Sequence, residues 1–169
     1  MATSRFTPRR RSPSQHISVT VNDATLRGKA IARDTTDGAV GVLATSSATV
    51  GAIGFLFREV TATGPDVVQR TQIWGSDPMV AELEQPDKAG DQCTVEVLEK
   101  FEAEGPEYVL DSGTGAIDAN TALGSKIAWY VGKARVLQGS ELDQGYRLIQ
   151  HLTPEDGDNA TAIVVEKVI

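Results

Sequence analysis

Short runs in which apolar residues alternate with period two, separated by glycine, proline and acidic turns, constrain this chain more than any other feature. ISVTV (17–21) puts Ile17, Val19 and Val21 on one face, and TVGAIGFLFREVT (49–61) sets Ile53, Phe55 and Phe57 against smaller residues. Such alternation buries one face of a strand, whereas a helix brings its apolar side chains round every three or four positions. GKAIARDTTDGAVGVLA (28–44) reads as two strands around a turn at Asp34 to Gly38. SKIAWYVGKARVLQ (125–138) reads as a hairpin: Ile127, Trp129 and Val131 lead to a turn at Gly132 and Lys133, and Ala134 and Val136 return. TVEV (94–97), QGYRLIQHL (144–152) and ATAIVVEKVI (160–169) supply further strands. The segment 66–86 is mixed, since Val67, Val68, Thr71 and Trp74 suit one helical face or two short strands.

Sixteen glycines and seven prolines punctuate these runs. Their spacing of roughly 8 to 12 residues is that of small antiparallel folds. The expected fold is therefore mainly β, a small β-barrel or β-sandwich with at most one or two short helices. A chain of 169 residues, 40% of them hydrophobic, can build one core of ordinary size.

The opening MATSRFTPRRRSPSQH breaks the pattern, with four arginines, two prolines and no acid. Since the whole chain carries −7 and this segment +4, residues 17–169 carry −11. The expected organisation is an extended basic arm over 1–16 that adds almost nothing to the core, then a single β-rich domain over 17–169. Such an acidic body repels nucleic acid, so no direct nucleic-acid partner is expected. Residues 82–107 hold nine acids against Lys88 and Lys100, read as a solvated face on strands. VGAIGFLF (50–57), the longest nearly apolar run, is too short to span a bilayer. No hydrophobic segment follows the arginines as a secretory signal requires, so the arm is expected to belong to the working molecule, and no membrane partner is expected.

Candidate chemistry is sparse. Asp111, Ser112 and Gly113 stand in the order that aspartic proteases use, but no bracing hydrophobic-hydrophobic-Gly segment follows, and the trio reads as a turn between strands. His16 and His151 are the only histidines and lack neighbouring ligands at metal spacing, so no metal and no cofactor is expected. Asp34 and Asp37, like Asp156 and Asp158, read as turn acids. Cys93, the lone cysteine, has no evident histidine partner and excludes an internal disulfide, which suits synthesis in a reducing cytoplasm. The expectation is a protein that is not an enzyme.

EGPEYVLDSGTGAIDANTALGSKIAWYVGKARVLQ (104–138) resembles the C-terminal part of capsid decoration, or cement, proteins of tailed bacteriophages. The likeness rests on an acidic-Gly-Pro lead, on the turn Ser112, Gly113, Thr114, Gly115 with Ile117, and on a strand carrying Gly132, Lys133 and Arg135. GKAIARDTTDGAVGVLATSSATVGAIGF (28–55) is similar to their earlier half. The resemblance implies a small β-tulip-like virion protein, made in the host bacterial cytoplasm and seated on the outer surface of the expanded head. There it would clamp neighbouring major capsid subunits against internal DNA pressure, as a homotrimer at three-fold or quasi-three-fold axes. Arg5, Phe6, Arg9, Arg10 and Arg11 would then bind the shell. A tail or baseplate component is the alternative reading, and an aspartic-type hydrolase a lesser one.

Overall fold

A computed structural model of the chain describes residues 4–21, 29–45, 53–55, 60–61, 87–88, 92–153 and 161–168. The strands are β1 (Arg5–Thr20), β2 (Ala30–Arg33), β3 (Gly41–Leu43), β4 (Gly54–Phe55), β5 (Val60–Thr61), β6 (Asp87–Lys88), β7 (Gln92–Glu104), β8 (Ile127–Tyr130), β9 (Lys133–Val136), β10 (Tyr146–Leu152) and β11 (Ala162–Lys167). The chain is mainly β, with an antiparallel seven-stranded sheet, the antiparallel pair β8–β9 and the short parallel pair β5–β6 in a sandwich-like arrangement, and no helix occurs among the described residues. The mixed segment 66–86 lies outside them.

β7 is the hub. One of its edges takes β11 along Lys100 to Glu104 and β4 at Glu96, extending the sheet to β10 on one side and through β2 to β3 on the other. Its other edge takes β1 from Arg5, opposite Glu104, to Thr20, opposite Gln92. The basic segment is thus a strand, and β1 runs across the boundary expected at residue 16. Two properties kept it from reading as one. Arginine and proline do not alternate with apolar residues, and they suit an edge strand, where charge and missing N–H groups discourage further pairing. The pairing slips between Pro8 and Arg10, between Arg10 and Arg11, and between Arg11 and His16.

The sheet curls. Thr20 forms a single parallel bridge with Val40, its amide donating to the Ala39 carbonyl at 2.7 Å. One bridge brings β1 back beside β3 without closing a barrel. Inside the curl lie Ile17, Val19, Val21, Ile31, Val95 and Val97, with Leu43 against them. The space is narrow enough to require glycine on two of its walls. A Cβ at Gly54 would stand 2.6 Å from Val95 Cγ1, and one at Gly41 would stand 2.7 Å from Val19 Cγ2. Gly41 and Gly54 stand there because this interior has room only for the valines and isoleucines opposite.

Outside the curl lies a second, aromatic core. β2 serves both, with Ile31 facing inward and Ala30 and Ala32 outward. Phe55, Phe101, Trp129 and Tyr146 pack with ring centroids 4.9–6.2 Å apart, Trp129 and Tyr146 edge to face. Such offset and edge-on pairs add to the burial itself because ring edges meet ring faces. Burial pushes the Tyr146 phenol well above its ordinary range, and its hydroxyl donates to the Leu98 carbonyl at 3.0 Å.

The β8–β9 hairpin carries Trp129 into this core, as its alternation predicts. Its turn is displaced by one residue from the expected Gly132 and Lys133. Tyr130 pairs with Lys133, so Val131 and Gly132 form the turn, with φ 49° and 76°. A β-branched residue at positive φ is sterically disfavoured, so the turn falls where the local sequence does not favour it. The tip is pinned by Gly132, whose amide donates to Ala44 O at 2.9 Å and whose carbonyl accepts from Ala30 N at 3.3 Å. The β2–β3 hairpin matches its sequence reading, with Asp34 and Asp37 each accepting a backbone N–H two residues on.

Candidate functional site

Two clusters contain the residues singled out from sequence. The first is the face of β1, β7 and β11. Arg9 pairs with Glu102, Arg10 with Glu99 at 2.8 Å and Glu166 at 2.9 Å, Arg11 with Glu96 at 2.9 Å, and Arg5 lies 3.7 Å from Glu104. Antiparallel pairing creates this ladder, because it runs the arginines of β1 past the glutamates of β7 in opposite order. The hydrogen bond to Glu166, with the charges of Glu166 and Glu99 added, raises the Arg10 pKa above its ordinary value. The acids of β7 were expected to form a solvated face; here they lie under arginines of the same chain.

Phe6 was also expected on the arm, as an anchor for a partner. Its ring instead meets Phe55 and Phe101 at 5.3 Å and Tyr108 at 5.6 Å. The turn after β7 is fitted to the start of β1. Ser4 Oγ accepts from the Glu107 amide at 3.4 Å, and a Cβ on Gly105 would stand 2.5 Å from that oxygen. Five of the sequence-selected residues are therefore engaged within the fold. The signal that could have revealed it is the complementary charge of two extended segments, but nothing local joins positions 93 apart.

The second cluster unites the two halves of the family-like motif. Ala134 exchanges backbone hydrogen bonds with Tyr108 and Leu110, at 2.8 and 2.9 Å, which lays the chain after β7 along β9. The loop then folds back: Ala116 N donates to Gly113 O at 3.2 Å, and Ile117 N to Leu110 O at 2.8 Å. Ile117 is buried in the aromatic core, while Asp111, Ser112, Gly113 and Thr114 are exposed. Gly113 and Gly115 have φ of 91° and 82°, so the turn needs residues without a Cβ penalty. Gly115 O accepts from Val136 N at 2.8 Å, and a Cβ there would stand 2.7 Å from Val136 O. Residues 112–117 thus sit directly against residues 133–136.

Arg135 completes this unit. Its guanidinium pairs with Glu141 and lies 4.7 Å from the centre of the Tyr130 ring. Glu141 in turn accepts from the Gln138 amide at 2.8 Å. Beyond the hairpin, Asp143 holds Arg147 through two hydrogen bonds of 2.9 Å, with Lys126 at 3.5 Å. These bonds to Arg147, aided by the Gly145 amide, lower the Asp143 pKa from its ordinary 3.8 to about 2.

The exposed ends of the unit are the Ser112–Thr114 tip and the hairpin tip, where Tyr130 and Val131 are 43% and 46% exposed. Gly132 is buried there against Leu43, and Lys133 opens β9 half-buried beside it. The arrangement offers backbone carbonyls and amides, one hydroxyl on each of Ser112 and Thr114, and a small apolar knob on a fixed frame. That is equipment for contact. Among the described residues no group of three or more His, Cys, Asp or Glu is placed to hold a metal ion. His151 Nε2 lies 2.7 Å from Thr121 O, so that nitrogen carries the proton and donates. No helix of the described residues is long and apolar enough to cross a membrane. Compared with known proteins, the chain matches no family model, no curated protein and no solved structure.

Proposed function

We propose that this chain is a structural binding protein of the capsid-decoration type. In this reading it attaches to the outer surface of an expanded phage head and clamps neighbouring major capsid subunits, as a homotrimer at three-fold or quasi-three-fold axes. The observation that supports it is the meeting of the motif halves. Segments 112–117 and 132–136, selected by resemblance alone, form one hydrogen-bonded unit with an anchored base and an exposed tip. A contact loop on a rigid strand frame loses little conformational freedom on docking, which favours affinity.

The contact surface moves relative to the sequence reading. Arg5, Arg9, Arg10 and Arg11 already have carboxylate partners in their own chain, so a shell using them would have to displace those partners. The tips at Ser112–Thr114 and at Tyr130–Val131 need no such exchange. We place the shell contact there.

Co-sedimentation tests the proposal. Purified protein is mixed with expanded and with unexpanded heads that lack a decoration protein. Saturable binding to expanded heads, weakened at least tenfold by replacing Ser112 and Thr114 with bulky charged residues, is expected. Absence of binding to either head form would overturn it, and density found only on tails would favour the tail reading.

A further inference from the structure

β1 is held by two different kinds of contact along its length. Ile17 and Val19, with Val21 just beyond, are buried in the curl at 3%, 0% and 0% exposure. Residues 5–11 add to their pairing with β7 half-exposed arginine–glutamate pairs and the aromatic contacts of Phe6, with none of the fully buried aliphatic side chains of the second half. Between these parts the pairing register slips repeatedly, from Pro8 to His16. Proline lacks the N–H that a ladder needs, so this stretch is the weakest seam of the strand. This seam leaves the first half of β1 as the part that could depart while the second half stays in the core.

Its departure would open a slot with a defined chemical preference. Phe55, Phe101 and Tyr108 form the apolar end, and Glu99, Glu102 and Glu166 the acidic side. What fits is an extended segment with an aromatic residue followed three to five positions later by cations. A second copy of this chain carries that segment.

We propose that residues 5–11 exchange between copies, β1 of one molecule pairing with β7 of another. The exchanged and closed states make the same contacts, so neither is favoured by contact energy. Concentration decides between them, set against an effective intramolecular concentration of about millimolar for a short tether. Salt weakens the ion pairs that hold the segment in place and therefore speeds the exchange. This inference rests on the pairing of β1 with β7 and stands apart from the decoration reading.

Thr7 and Glu102 stand directly opposite in the register, which makes them a reporter pair. One protein carries Thr7→Cys and another Glu102→Cys, each with Cys93→Ser. A disulfide between these two can form only across copies. After co-incubation and mild oxidation we expect a covalent heterodimer whose yield rises with protein concentration. It should form roughly tenfold faster in about 0.5 M salt than in about 0.05 M. The doubly substituted chain at low concentration should close its bond within one molecule. Thr7→Cys mixed with Thr114→Cys, an exposed position, measures random collision. Heterodimer no more abundant than in that control would overturn the proposal, as would failure of the doubly substituted chain to close.

Discussion

The ring of Phe6 stacks on the ring of Phe55, centroids 5.3 Å apart and planes 17° from parallel. Phe55 belongs to β4, which pairs with β7 on the edge opposite β1. The contact therefore crosses the hub strand and ties the first residues of the described chain to its aromatic core. A segment that reads from sequence as an arm is a structural strand with a hydrophobic anchor.

Phe6→Ala should consequently destabilise the fold. Truncating a buried phenylalanine costs about 3 to 5 kcal/mol, and the partial burial of Phe6 puts the expected loss at about 2 to 3 kcal/mol. Urea unfolding followed by tryptophan fluorescence measures it, since Trp129 is in the same cluster. An unchanged midpoint would show that the ring contributes no net packing energy.

The arginines should matter less. Exposed ion pairs contribute about 0.2 to 1 kcal/mol each, so replacing Arg9, Arg10 and Arg11 together with Ala should cost about 1 to 2 kcal/mol. Most of that difference from the unaltered chain should vanish in about 1 M salt, where screening acts within about 3 Å. Deleting residues 1–11 should cost more than the triple substitution, because Phe6 and the ladder on β7 go with it. The deleted protein should also self-associate, having exposed a long strand edge on β7. A deletion that leaves stability and solubility intact would mean that the first half of β1 is an ornament of the sheet.

Local pattern carried much of the fold into the sequence. The alternation of Ile127 and Trp129, the Asp34–Gly38 turn and the valines at 95 and 97 are short-range signals, and each lies where its period places it. What stayed hidden was long-range. The pairing of Arg9 with Glu102 depends on two segments meeting in antiparallel register, and no periodicity within either segment encodes that meeting. The junction of Gly115 with Val136 was hidden for the same reason, although both residues lie within the motif selected by resemblance. The turn at Val131 was misplaced because its solution is locally unfavourable and is held by Thr45, Ala44 and Ala30 from elsewhere in the fold.

Acid should loosen the β10 end of the sheet. The folded pKa of Asp143 is depressed to about 2 from 3.8, mainly by its hydrogen bonds to Arg147. A carboxylate with a depressed folded pKa adds stability that is fully present above its unfolded value. That contribution is lost as pH falls from about 4 through about 2. Asp143→Asn should therefore lower stability at neutral pH and flatten the decline of stability in this acid window. Because the group lies near the surface, solvent screening keeps its effect modest. Equal slopes for both proteins between pH 4 and pH 2 would remove Asp143 from the acid response.

The hairpin tip should gain stability when Val131 is replaced. Val131 has φ 49° and precedes Gly132 at φ 76°, the two left-handed residues of a tight hairpin turn. A β-branched side chain there costs about 1 to 2 kcal/mol relative to a residue that tolerates the left-handed region. Little offsets that cost, since the side chain is 46% exposed and the Val131 amide donates to Thr45 Oγ1 at 3.3 Å whatever side chain it carries. Asn suits the first position of such a turn and avoids the extra unfolded-state freedom of Gly, so Val131→Asn should raise stability by about 1 kcal/mol. For a domain of this size that is a rise of about 2 to 4 °C in Tm, readable by calorimetry. Strain that persists at an exposed tip is expected where the strained residue makes an external contact. The same substitution should therefore weaken binding to expanded heads while it stabilises the free protein. A variant that is both more stable and equally well bound would free the hairpin tip from the proposed contact surface and leave Ser112–Thr114 to carry it.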